Sequence, residues 1–152
     1  MSCNKYLPHV LVLPEDHANA QLANGFLLDQ ALSTRSIQVL EEAGRWHEVI
    51  NRFLSDRSMV LLIDFDGDPD RLSGVKAKIP GNLNERVYIL GAFIESENLN
   101  ADLGSYETIG LALAQDCREE TDTTWSHPLL RHNAGELARL RERVRPILFA
   151  AP

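Results

Sequence analysis

The sequence predicts an α/β fold: a three-layer, mainly parallel sheet of about four strands. Three observations carry this. His9–Leu13 (HVLVL), Met59–Ile63 (MVLLI) and Arg86–Ile94 (RVYILGAFI) are near-continuous apolar runs, as expected of strands buried on both faces. Segments with helical apolar spacing separate them. The chain has 152 residues, 44% hydrophobic and 24% charged, which suits one globular domain.

In chain order, His9–Leu13 is the first strand, closed by Pro14 and followed by Glu15, Asp16 and His17. Ala18–Leu32 is expected to be a helix with Leu22, Phe26 and Leu27 on one face, weakened by Gly25. Ser36–Leu40 is a shorter strand, and Arg45–Leu54 an amphipathic helix burying Trp46, Val49, Ile50, Phe53 and Leu54. Met59–Ile63 is the next strand. A short helix over Asp70–Ile79 is broken by Pro80 and Gly81. After the strand Arg86–Ile94 come a polar stretch to Asn100 and a helix over Tyr106–Cys117. Trp125–Asn133 is irregular. Glu136–Arg145 forms a last helix striped by Leu137, Leu140 and Val144, ended by Pro146. The expected core covers residues 8–117, with 118–152 as a C-terminal helical extension.

No apolar run approaches a membrane span, and the first residues lack the apolar stretch of a secretory signal. Cys3 and Cys117 have no metal-ligand spacing and fit a reducing cytoplasm. The net charge of −7 argues against broad attraction to nucleic acid but leaves room for a local basic surface.

Chemistry concentrates where Met59–Ile63 runs into Asp64, Asp66 and Asp68. Ligands of open α/β sheets bind at the C-terminal ends of strands. Alternate residues of an extended chain point the same way, so Asp64 and Asp66 are expected to chelate one ion. Closely packed carboxylates repel unless a cation intervenes, and an all-oxygen set suits Mg²⁺ or Mn²⁺. If the first and third strands are neighbours, Glu15 joins the acids as a further ligand or as general acid or base. The bland alternative is an Asp-Gly turn and helix cap after a buried strand.

Glu15 in LVLPEDHANA together with the acids of LLIDFDGD resembles the Toprim domain of topoisomerases, bacterial-type primases and OLD-family nucleases. The resemblance spans His9 to about Ile94. Asp16 stands where many members carry glycine. It implies a Toprim-like fold and Mg²⁺-dependent phosphodiester chemistry on nucleic acid, with Glu15, Asp64 and Asp66 catalytic and Asp68 a further ligand. It also implies a role in DNA repair, mobile elements or phage defence, with any partner protein supplied by a separate chain. DFDGD also resembles the first motif of haloacid-dehalogenase-like phosphatases, but it follows two earlier strands, and the later Lys and acidic pair are missing. An EF-hand loop fails at Pro69 and Val75.

Two further groups stand out. Trp125, His127, Arg131, His132 and Asn133 form either a phosphate-binding loop, with His127, Arg131 and His132 meeting substrate, or a surface loop pinned by a buried Trp125. Zinc is excluded there for want of a second ligand pair. Arg139, Arg141, Arg143 and Arg145 are either a basic strip or solvated helix-end cations. A non-catalytic interaction module of Toprim-like or receiver-like fold is the alternative from a different class.

Overall fold

The computed structural model describes residues 10–33, 36–40, 57–94 and 97–149. The helix expected over Arg45–Leu54 lies outside them. Strands β1 (Val10–Pro14), β2 (Ile37–Val39), β3 (Ser58–Leu62) and β4 (Val87–Leu90) form one all-parallel sheet in the order β2-β1-β3-β4. Helices α1 (His17–Phe26), α2 (Arg71–Lys76), α3 (Glu97–Leu103), α4 (Tyr106–Glu119), α5 (Ala134–Arg143) and α6 (Arg145–Leu148) surround it, with 3₁₀ segments at Gly81–Arg86 and Arg131–Asn133.

The apolar runs become β1, β3 and β4, and they are apolar throughout because both faces of the sheet are covered. Side chains alternate along a strand, so each run divides between two cores. Val10, Val12, Val60, Tyr88 and Leu90 face α1, α4, α5 and α6. Leu11, Leu13, Met59, Leu61, Val87 and Ile89 face the opposite side, where Val75 of α2 packs. No helix among the described residues is long and apolar enough to cross a membrane.

Several boundaries differ from the sequence reading. The first helix stops at Phe26, not Leu32, because Asp29 folds back locally. Its Oδ1 accepts the Ala31 N–H at 2.8 Å, and Oδ2 pairs with Arg118 at 3.1 Å. Part of the polar stretch before Asn100 is helical, since α3 starts at Glu97; its Leu99 is fully buried. Pro146 does not end the helical course. It lies in the first turn of α6, where a missing N–H costs nothing.

The stretch expected to be an extension is part of the core. Trp125, Leu130, Leu137, Leu140, Val144 and Leu148 share one buried cluster with the sheet. It also closes the sheet edge. An edge strand leaves peptide groups unpaired, and β4 meets polar side chains there instead. Asn133 Oδ1 accepts the Gly91 N–H at 3.1 Å, and its Nδ2 donates to Gly91 O at 3.0 Å. Glu136, 3% exposed, accepts the Ile89 N–H at 3.0 Å and is charge-balanced by Lys76 and Arg139. One amide and one carboxylate thus replace a neighbouring strand.

Helices α1 and α4 touch backbone to backbone. A Cβ on Gly110 would lie 2.1 Å from Leu22 O, and one on Gly25 would lie 2.3 Å from Glu107 O. Gly25 is therefore the contact that admits α4 rather than a flaw in α1. Helix propensity alone would make Gly110→Ala stabilising by about 1 kcal/mol. The close approach reverses the sign: the variant is expected to lose about 2 kcal/mol, read as a lower urea midpoint with an unchanged slope.

Candidate active site

Strands β1 and β3 are hydrogen-bonded neighbours, with Pro14 opposite Leu62. Their C-terminal ends therefore lie side by side, and Glu15 and Asp64 emerge together. The Glu15 N–H donates to Leu62 O at 2.8 Å, which fixes the backbone where the side chain leaves the sheet. Glu15 Oε1 accepts the Asp64 N–H at 3.2 Å, and Oε2 pairs with Arg71 Nη2 at 3.1 Å.

Asp16 contributes as a helix cap. Its Oδ1 accepts the Asn19 N–H at 2.9 Å and the Asn19 Nδ2 at 3.0 Å. The same amide nitrogen lies 3.3 Å from Asp64 Oδ1 as a donor. Asn19 is fully buried, so it ties the start of α1 to the acidic loop. Asp16 thus builds the first loop through a side-chain cap.

Burial raises the Glu15 carboxyl above the usual carboxylate range. The Asp64 N–H and the Arg71 guanidinium act against this, and the charges of Asp64 and Asp16 add to it. The outcome is a carboxyl with increased proton affinity beside a second carboxylate.

The acidic loop does not continue as a regular alternating strand. Its backbone still follows β4, with Ile63 N–H donating to Leu90 O, Phe65 N–H to Ala92 O and Gly67 N–H to Phe93 O. Asp66 then takes a left-handed conformation (φ 55°), followed by Gly67 (φ 70°). This turn interrupts the side-chain alternation expected to join Asp64 and Asp66 over one ion. Asp66 is exposed, and Asp68 Oδ1 accepts the Asp70 N–H at 2.9 Å. Among the described residues, no three His, Cys, Asp or Glu side chains converge as a metal-holding group. The structure brings together Glu15 and Asp64; Asp66 and Asp68 remain on the loop beyond them.

His127, Arg131 and His132 do not form one constellation. His127 Nε2 pairs with Asp102 at 2.9 Å, and its Nδ1 accepts the Leu129 N–H at 3.1 Å. Exposed Arg131 lines a surface groove of about 350 Å³ with Asp122, Trp125 and Arg141. Trp125 pins this loop as a buried residue, its Nε1 donating to Leu113 O at 3.2 Å. Buried Asp116 holds the same loop through Thr121 and the Thr124 and Trp125 N–H groups.

His132 packs edge-on against Phe65 (4.5 Å) and Phe93 (5.4 Å). Phe65 lies between Asp64 and Asp66, so His132 braces the acidic loop from its apolar side. Both ring nitrogens are buried without a hydrogen-bond partner among the described residues. Burial pushes the imidazole below 6.5, and the Gly91 backbone offsets part of this. A histidine held neutral by the fold contributes stability that is full above its unfolded value and lost as pH falls through its folded value. The urea midpoint is therefore expected to drop as pH falls below about 6.5, and His132→Phe to flatten that drop. Glu15 has the opposite sign, so the difference between the two proteins isolates the imidazole.

The terminal arginines are occupied rather than gathered into a strip. Arg139 meets Glu136 and lies 4.9 Å over the Tyr88 ring. Arg141 pairs with Asp122 at 3.1 Å, Arg143 donates to Glu85 O, and Arg145 donates to Cys117 O and Arg118 O at the end of α4.

Sequence reasoning missed Arg71 and the tie that Asn19 makes to the acidic loop. The available signal for Arg71 was its place directly after the acidic run, in DFDGDPDR. No family model, curated protein or solved structure matches the chain.

Proposed function

We propose that the chain is a Toprim-like, divalent-metal-dependent phosphodiesterase that cleaves nucleic acid. The observation that carries this is the Glu15–Asp64 pair at the C-terminal ends of adjacent parallel strands, joined by the 3.2 Å hydrogen bond from the Asp64 N–H. Mg²⁺ favours one or two carboxylates and completes its shell with water and substrate phosphate, so two hard oxygen donors fit it without a three-residue cage. Glu15 and Asp64 would hold the ion, with Asp66 and Asp68 as the further carboxylates of the same loop. Bound there, Mg²⁺ or Mn²⁺ would supply positive charge to a phosphate and ease deprotonation of water.

The chain's own residues do the rest. The Asp64 N–H orients the Glu15 carboxylate, and Asn19 orients Asp64. Burial raises the proton affinity of Glu15, and a cation held there would lower it again. Phe65 and His132 keep the loop's other side dry. Exposed Arg131, along the groove, offers positive charge for a phosphate backbone. A cytoplasmic component of a repair, mobile-element or phage-defence system fits this chemistry and the buried free thiol of Cys117, with a partner protein as a separate chain.

A second reading is a non-catalytic interaction module. The Glu15–Arg71 ion pair and the net charge of −7 favour it. The test is a cleavage assay on single- and double-stranded DNA and RNA with Mg²⁺ or Mn²⁺, with Asp64→Ala as control. Metal-dependent cleavage that disappears in the control supports the enzyme. Intact substrates under every condition support the module.

A further inference from the structure

We propose that Arg71 is a built-in counter-cation that occupies Glu15 until a divalent metal displaces it, and that the freed guanidinium then binds the substrate phosphate. This rests on the metal-dependent reading above.

Arg71 is the cation paired with Glu15 among the described residues, through Nη2 and Oε2 at 3.1 Å. The contact is one nitrogen to one oxygen, not the two-pronged fork that makes arginine–carboxylate pairs strong. Glu15 cannot complete the fork easily, because its other oxygen already accepts the Asp64 N–H. The guanidinium Nε is buried without a partner among the described residues, so the side chain is held here below its hydrogen-bonding capacity. Both partners keep about a third of their surface open, 28% for Arg71 and 32% for Glu15, so metal and substrate can reach them.

The backbone of Arg71 stays attached to the acidic loop, its N–H donating to Asp68 O at 3.1 Å. Release of the side chain therefore leaves the guanidinium at the same sheet edge. Arginine suits a second employment there, since carboxylate and phosphate present similar oxygen geometry to its donors. A dication and a guanidinium compete for one carboxylate oxygen, so metal affinity and Arg71 pairing are linked with opposite sign.

The experiment is calorimetric titration of Mn²⁺ alone into wild type, Arg71→Gln, Arg71→Lys and Asp64→Asn, each checked for folding by circular dichroism. Arg71→Gln is expected to bind Mn²⁺ about tenfold more tightly, because the competing charge is gone. Arg71→Lys, which keeps the charge, should stay near wild type. With an oligonucleotide substrate, Arg71→Gln is expected to show a raised KM, which Arg71→Lys partly restores. Equal or weaker Mn²⁺ binding by Arg71→Gln, with binding lost in Asp64→Asn, would overturn the counter-cation and leave the metal site standing. Absence of Mn²⁺ binding by wild type and Arg71→Gln alike would overturn both.

Discussion

Gly91→Ala is expected to cost about 4 kcal/mol or more, enough to leave little folded protein at ambient temperature. Gly91 follows β4 with φ 157°, and a Cβ there would lie 1.6 Å from Ile63 O. The obstacle is backbone, so no rotamer change relieves it. The loop after β3 would have to leave β4, breaking the Ile63–Leu90 and Phe65–Ala92 hydrogen bonds. The grip of Asn133 on both peptide groups of Gly91 would fail with them. Those contacts hold the chain on either side of Asp64, so the change reaches the site as well. Urea unfolding followed by circular dichroism measures the loss; a cost below about 1 kcal/mol would contradict the packing described.

Asp64→Asn is expected to abolish metal-dependent cleavage, by at least about 100-fold, since even indirect partners of a metal ligand cost 10- to 100-fold. The substitution removes one negative charge and keeps the side chain's size. The backbone N–H that orients Glu15 remains, so Glu15 and the fold should survive. The expected signature is therefore a loss of turnover with an unfolding midpoint close to wild type. Cleavage rates measured at saturating Mn²⁺ check the first part, and urea unfolding checks the second. An active Asp64→Asn protein would remove Asp64 from the chemistry.

The pairing of Glu15 with Asp64 was legible because it depends on coarse features. Two apolar runs ended in acids, and parallel strand order did the rest. Asp66 departs from the expected alternation because alternation holds only while the chain stays extended, and φ at Asp66 is positive. The Asp-Gly dipeptide was in view as a turn signal. Arg71 was hidden because its partner lies 56 residues away and is reached only through the folded loop. The edge-closing role of Asn133 and Glu136 was hidden for a related reason. Polar residues around a helix start look solvated, and nothing local reveals that they complete the edge of a strand. Helix α3 has only buried Leu99, small Ala101 and its last leucine as apolar residues, so periodicity had little to register.

Glu15 and Asp64 holding a divalent cation together is the claim on which the functional account stands. Electron paramagnetic resonance of free Mn²⁺, titrated against wild type, Glu15→Gln and Asp64→Asn, tests it without reference to substrate. The account predicts that wild type depletes the free-ion signal and that each substitution restores it. Equal depletion by all three proteins, or none by wild type even with a nucleic-acid strand present, would contradict it.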